Sequence, residues 1–297
     1  MISIEEVAER TYRVEIPIPK VDTIFAVYLI RERNGVVIEP GPTVTVPSIQ
    51  EGLKQLGMKE LSYIIPTHIH IDHAGAIGNL AQVFPHARVM LHPVAVKHAI
   101  DPSRLIESTK IAFGDDFEDY YGPILPVPES QVIVPEDSET ISTDGRELQI
   151  IYAPGHAPHQ IVIFDRKGGG LFCGEALGLP HAEAKSSPLP AAAPPSFDIE
   201  IYLETMTRLK ALHPRFLLYS HDGIGRNPEE LISKAAENTR GFGDIILEAL
   251  RNGETTESIS NRVREYISTH LGIKAEGMDM GMTIRGFISY FKKKGLV

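Results

Sequence analysis

Only one cysteine, Cys173, occurs in the 297 residues, so no internal disulfide framework can hold the chain together. Tryptophan is absent. No run of eighteen or more apolar residues appears, which argues against a membrane span. Positive charge is in deficit. Against 29 Lys and Arg stand 39 Asp and Glu, a formal net charge of −10 that disfavours a broad nucleic-acid surface. The first twenty residues carry Glu5, Glu6, Glu9 and Glu15, unlike the basic and apolar pattern of a secretion leader. The expectation is a cytoplasmic protein in which Cys173 is merely buried.

What is present reads as a layered α/β protein. Residues 11–18, 24–31 and 35–39 are strand-like, and 48–56 has helical spacing that stops at Gly57. A compact apolar strand at 61–65, a helix at 75–84 and a strand at 88–91 follow, and that alternation points to a layered architecture. Residues 102–130 read as an insertion over the core, with Phe113, Phe117, Tyr120 and Tyr121 as packing or lid residues. A second strand-rich half runs from 131 to 174. The segment 177–197 is rich in Pro and Ala and is expected to form neither regular helix nor sheet. A helix at 199–212 and a strand at 216–220 lead into His221. From 241 onward the pattern is helical, so the expected division is 1–240 and 241–297.

The densest chemistry is Thr67-His68-Ile69-His70-Ile71-Asp72-His73, directly after the apolar strand. Spacing of two places the His68 and His70 imidazoles on one side of an extended segment, able to share an ion. Asp72 and His73 fall after the chain turns and can face a second ion. Imidazole and carboxylate are the donors Zn2+ takes when it keeps an open position for water.

This run resembles the HxHxDH motif of the metallo-β-lactamase superfamily. Further pieces follow in the order the resemblance requires: Pro154-Gly155-His156, Phe172-Cys173-Gly174-Glu175 and Tyr219-Ser220-His221. The resemblance implies a four-layer αββα sandwich and assigns His68, His70 and His156 to one metal. It assigns Asp72, His73 and His221 to a second, with Glu175 between them. Two divalent ions are implied, Zn2+ first, with Mn and Fe as alternatives. Two departures stand out. Glu175 replaces the usual bridging Asp, with a longer reach, and Glu39-Pro40-Gly41 stands where many members have Asp-Thr-Gly, so the outer hydrogen bonds are in question. The helical end resembles the winged-helix-like appendage of some members, yet its eight Lys and Arg against seven Asp and Glu give no basic footprint.

His159 reads as support for the turn after His156, and His92 and His98 as surface or capping residues. His181, just past Glu175, and Tyr219, on the same strand face as His221, are candidate substrate contacts; an exposed loop histidine and a packed tyrosine are the plainer alternatives. The expected function is hydrolysis of a small ester, thioester, lactone or sulfate ester by a metal-bridging hydroxide, with Asp72 as the catalytic group. The alternatives are a nuclease of the same superfamily and a metal-binding protein without turnover. A small-molecule substrate is expected, a homodimer is compatible, and neither nucleic acid nor membrane is an expected partner.

Overall fold

Near-continuous apolar runs dominate the strands of the computed structural model, which describes residues 2–18, 24–181, 184–221, 223–276 and 278–297. The chain divides into two compact units. The first comprises Met1–Tyr152, His159–Gly174 and Leu218–Gly223, the second Ala153–Pro158, Glu175–Leu217 and Ile224–Val297.

In the first unit a seven-stranded sheet runs in chain order: β1 (Ser3–Ala8), β2 (Thr11–Pro17), β3 (Ile24–Ile30), β4 (Gly35–Ile38), β5 (Leu61–Ile65), β6 (Arg88–Met90) and β7 (Val132–Ile133). β1 to β4 pair antiparallel and β4 to β7 parallel. The sequence shows why. β3, IFAVYLI, and β4, GVVI, are buried along almost their whole length, whereas the edge strand β1, SIEEVA, exposes Glu5 and Glu6.

Each parallel step needs a crossover. α1 (Val46–Gln55) connects β4 to β5, while α2 (Ile71–Ala74) and α3 (Ile77–Val83) lie between β5 and β6. Ile49 and Leu53 of α1 and Ile77 and Leu80 of α3 join Val27, Leu29, Val37, Ile64 and Val89 in one core. Before β7 come α4 (Val96–Ile100), α5 (Ser103–Phe113) and α6 (Glu118–Tyr121). Of their aromatics, Phe117 and Tyr121 enter that core, whereas Phe113 is exposed.

A second, antiparallel sheet holds β8 (Thr140–Thr143), β9 (Arg146–Tyr152), β10 (Ile161–Asp165) and β11 (Gly170–Phe172). Leu218 adjoins it, its carbonyl accepting from the Cys173 N–H at 3.0 Å. The two sheets are pinned where the chemistry lies. Ile161 N–H donates to the Thr67 carbonyl at 2.7 Å, Ala26 N–H to Ser220 at 2.8 Å, and the Tyr28 hydroxyl to the Tyr219 carbonyl at 2.6 Å. The fold is the expected mixed α/β sandwich.

The second unit carries β12 (Leu179–His181) and β13 (Ala184–Leu189), α7 (Ile199–Lys210), the start of β14 (Phe216–Leu218), β15 (Ile224–Gly225), α8 (Pro228–Arg251), α9 (Thr256–Tyr266) and α10 (Gly281–Lys293). One expectation is corrected here. The Pro/Ala-rich stretch is not wholly irregular: β12 and β13 form a two-stranded antiparallel sheet that includes Pro180 and Pro188. Both strands of such a sheet are edges, where a missing proline N–H costs no ladder bond. Ala182 and Glu183 lie outside the described residues.

The division expected at 240/241 falls inside α8, whose buried stripe Leu231, Ala235, Asn238, Phe242, Ile246 and Ala249 keeps helical spacing across it. Phe197, Phe242 and Phe287 form the aromatic centre of this unit, with ring centroids 5.0 Å apart for Phe197 and Phe287. Among the described residues after Gly225 there is helix and loop, and no strand.

Candidate metal centre

β5 ends at Ile65, and the next residues deliver the first unit's cluster. His68 Nε2 lies 2.9 Å from His70 Nδ1, and His68 Nδ1 lies 3.1 Å from Thr67 Oγ1. α2 then turns the chain, so Asp72 and His73 leave in a new direction. Asp72 Oδ2 is 3.4 Å from His73 Nε2 and 3.5 Å from His221 Nε2. His221 arrives after β14, held by an antiparallel bridge to Phe25, whose ring edge packs on the imidazole at 4.9 Å. The ligand atoms of Asp72, His73 and His221 all lie within 4.8 Å of one another, as do those of His68 and His70.

Glu39 supports this cluster from the end of β4. Its φ of 56°, uncommon for a residue with a side chain, turns the chain sharply after the strand. Oε1 accepts the Thr67 N–H at 2.6 Å, and Oε2 pairs with His73 Nδ1. The longer acid at the Asp-Thr-Gly position therefore does make the outer hydrogen bonds. Burial pulls the His73 pKa down, but the carboxylates of Glu39 and Asp72 outweigh it and hold it well above the ordinary histidine value. Burial pushes Asp72 up, and there His73 and His221 win, keeping its carboxyl well below the usual carboxylate range.

The second unit holds the other two candidates. Gly155 has φ 133°, and a Cβ on it would stand 2.4 Å from the Tyr202 Cα, so only glycine lets this turn press against α7. α7 returns the contact: Asp198 N–H donates to the Gly155 carbonyl at 2.9 Å, and Thr205 Oγ1 to the Pro154 carbonyl at 2.7 Å. His156 is thereby presented with Nδ1 2.9 Å from the Ala191 carbonyl and Nε2 2.8 Å from Glu175 Oε2. The main chain of Glu175 is held by the buried Tyr202 hydroxyl, which donates to the Glu175 carbonyl at 2.8 Å and accepts the Gly178 N–H at 2.9 Å.

The family description Metallo-beta-lactamase superfamily matches residues 22–221, more than half of the chain. The chain belongs to this superfamily. A metallo-beta-lactamase fold-containing protein of Sulfurisphaera tokodaii is 28% identical over 210 residues, covering 69% of this chain and 74% of that one. A hydroxyacylglutathione hydrolase of Aeromonas hydrophila is 30% identical over 153 residues, covering 51% of this chain and 46% of its own length. The crystal structure of a metallo-beta-lactamase family protein from Thermus thermophilus superposes with a TM-score of 0.71. At 19% identity, covering 96% of this chain and 94% of that one, it shows a shared fold.

Superfamily members are metallo-hydrolases, and the residues present here fit a divalent ion. The donors are imidazole and carboxylate, which first-row divalent metals favour. His73 Nε2 is buried without a well-formed hydrogen bond, with Asp72 Oδ2, itself a candidate ligand, 3.4 Å away; a cation shared by the two would satisfy both. His159 and His181 belong to neither candidate ligand group. His159 Nδ1 accepts weakly from the Ile69 N–H at 3.4 Å, and its ring stacks 6.2 Å from that of His68. His181 ends β12, half-buried. Tyr219 is enclosed at 1% exposure, a packed residue of the strand leading to His221.

Two contributors escape sequence reading. Ala191 acts through a carbonyl that every residue has. Tyr202 acts on Glu175 from 27 residues away, and its one visible signal is an aromatic residue on the buried face of α7.

Proposed function

We propose that the chain is a dinuclear metal-dependent hydrolase of a small ester, thioester, lactone or sulfate ester. His68, His70 and His156 would hold one ion, Asp72, His73 and His221 the other, and Glu175 would serve both. The observation that carries the reading is the His73 imidazole. Its Nδ1 is committed to Glu39 while its buried Nε2 is turned toward Asp72 Oδ2 at 3.4 Å without a well-formed hydrogen bond, the arrangement by which a carboxylate orients a ligating histidine. Support also comes from His156, whose Nδ1 faces a carbonyl and whose Nε2 faces Glu175. The Aeromonas relative, a hydroxyacylglutathione hydrolase, favours hydrolysis as the reaction class.

Divalent ions held by these residues would supply an activated water near neutral pH and polarisation of the scissile group. The protein's part is to hold the imidazoles in one tautomer and to keep a proton acceptor in place. Asp72 is the candidate acceptor: its carboxylate is kept anionic by His73 and His221, with Oδ2 3.4 Å and 3.5 Å from their Nε2 atoms.

Reconstitution with Zn2+, Mn2+ or Fe2+ followed by metal analysis tests the ligand set, and two ions per chain are expected. A stoichiometry that stays at one in excess metal would show that Glu175 does not sustain the second site. A panel of ester, thioester, lactone, sulfate-ester and phosphodiester substrates on the loaded protein then tests the reaction class. Asp72→Asn should keep the first ion and lose about 10²-fold in turnover. Near-normal turnover of that variant with both ions bound would sink the role given to Asp72.

A further inference from the structure

We infer that the C-terminal helices set the tautomer and aim of His156, and through it the metal affinity of the centre. They do so by gripping the segment that supplies the Ala191 carbonyl. The inference rests on the reading of His156 as a ligand.

The chain of contacts runs entirely within the second unit. His156 is 2% exposed, and its Nδ1 stands 2.9 Å from the Ala191 carbonyl. A carbonyl only accepts, so Nδ1 carries a proton toward Ala191, and Nε2, 2.8 Å from Glu175 Oε2, is the ring atom turned toward the other candidate ligand. The placement of that ligand therefore depends on where Ala191 is held.

Ala191 has no side chain with which to anchor itself; its neighbours are anchored from the far side. Asn238 of α8, itself 1% exposed, donates from Nδ2 to the Pro188 carbonyl at 2.9 Å and to Ser187 Oγ at 3.1 Å. Thr283 of α10 reaches the Pro190 carbonyl at 3.5 Å. At Gly286 the α10 backbone lies flush on Ala192: a Cβ there would stand 2.4 Å from the Ala192 oxygen and 2.6 Å from its carbonyl carbon.

The carbonyls of 188, 190 and 192 thus meet the helices, while that of 191 meets His156. The helices themselves are held together through the Phe197, Phe242 and Phe287 rings, with Phe242 and Phe287 at 6.3 Å and Phe197 and Phe287 at 5.0 Å. Any displacement at Ala192 is passed through one peptide bond to the Ala191 carbonyl.

The test uses the full chain, with Zn2+ as the probe. Side-chain 15N–1H correlation spectra of the metal-free protein read which ring nitrogen of His156 is protonated. Competition with a chromophoric chelator reads Zn2+ affinity, and thermal melting reads the fold. Wild type should show His156 protonated on Nδ1. Gly286→Ala, which must push the Ala192 peptide aside, should disturb that signal and weaken Zn2+ binding about 10- to 100-fold, the range seen when a ligand's outer partner is lost. Lys293→Ala, exposed on the same helix, should change neither.

If Gly286→Ala does not fold, Asn238→Ala is read by the same two measurements. An unprotonated Nδ1 on His156 in the wild type overturns the inference whatever the variants do. So does wild-type Zn2+ affinity in folded Gly286→Ala, and in that case the proposed ligand set stands. Wild-type affinity in His156→Ala has a different meaning: His156 is then no ligand, and both readings fall together.

Discussion

Glu39 shows how one carboxylate can organise a strand end. It accepts the Thr67 N–H with one oxygen and pairs His73 Nδ1 with the other, so a single side chain fixes both the start of the motif and its last histidine. Glu39→Gln replaces one of those acceptors with an amide and should weaken metal binding about 10- to 100-fold. Chelator competition measures it, and an unchanged affinity would remove Glu39 from the argument. Tyr202 is the matching residue for Glu175. Tyr202→Phe keeps the ring but removes the hydroxyl that bonds both the Glu175 carbonyl and the Gly178 N–H, leaving them their own longer bond at 3.3 Å. The expected cost is about 1–3 kcal/mol, read by denaturant unfolding of the metal-free protein.

At the scale of elements, α8 matters most. Its 24 residues run through the point where a domain boundary was expected, and one buried stripe faces β13, α7, α9 and α10 in turn. A chain cut after Arg240 would lose half of that stripe along with Phe242 and Phe287, leaving Phe197 the ring of Tyr202 but not that of Phe287. Such a truncation should be insoluble or lack a cooperative melt. A soluble truncated protein with a sharp transition would show that the C-terminal helices are dispensable for the fold. The milder Phe287→Ala should cost about 3–5 kcal/mol, the range for a fully buried aromatic. The Pro-containing hairpin β12–β13 carries the complementary lesson. Proline excludes a central strand, and a two-stranded sheet has none.

For the whole molecule, metal and stability should be linked. If two ions bind the folded chain and not the unfolded one, removing them with a chelator lowers stability by about 4 kcal/mol per site when free metal had stood at 1,000 times Kd. Scanning calorimetry with and without chelator measures this, and coincident melts would contradict a resident metal centre. The net charge of −10 further predicts no tight, salt-sensitive binding of duplex DNA or RNA. Among the described residues no helix is long and apolar enough to cross a membrane.

Local patterns were legible because their geometry is local. An apolar strand followed by HIHIDH dictates which side chains share a side and which come after the turn, whatever surrounds them. The Pro154-Gly155-His156 turn is equally self-contained. The superfamily and the sandwich followed from such pieces in order. Tertiary structure alone decided how the candidates are supported. That Glu39 reaches His73 depends on β4 and β5 lying side by side, and that Ala191 receives His156 depends on α8 and α10 gripping the residues on either side of it. A carbonyl carries no sequence signal, and neither does the space a glycine leaves; both acquire a role only once distant segments are packed against each other.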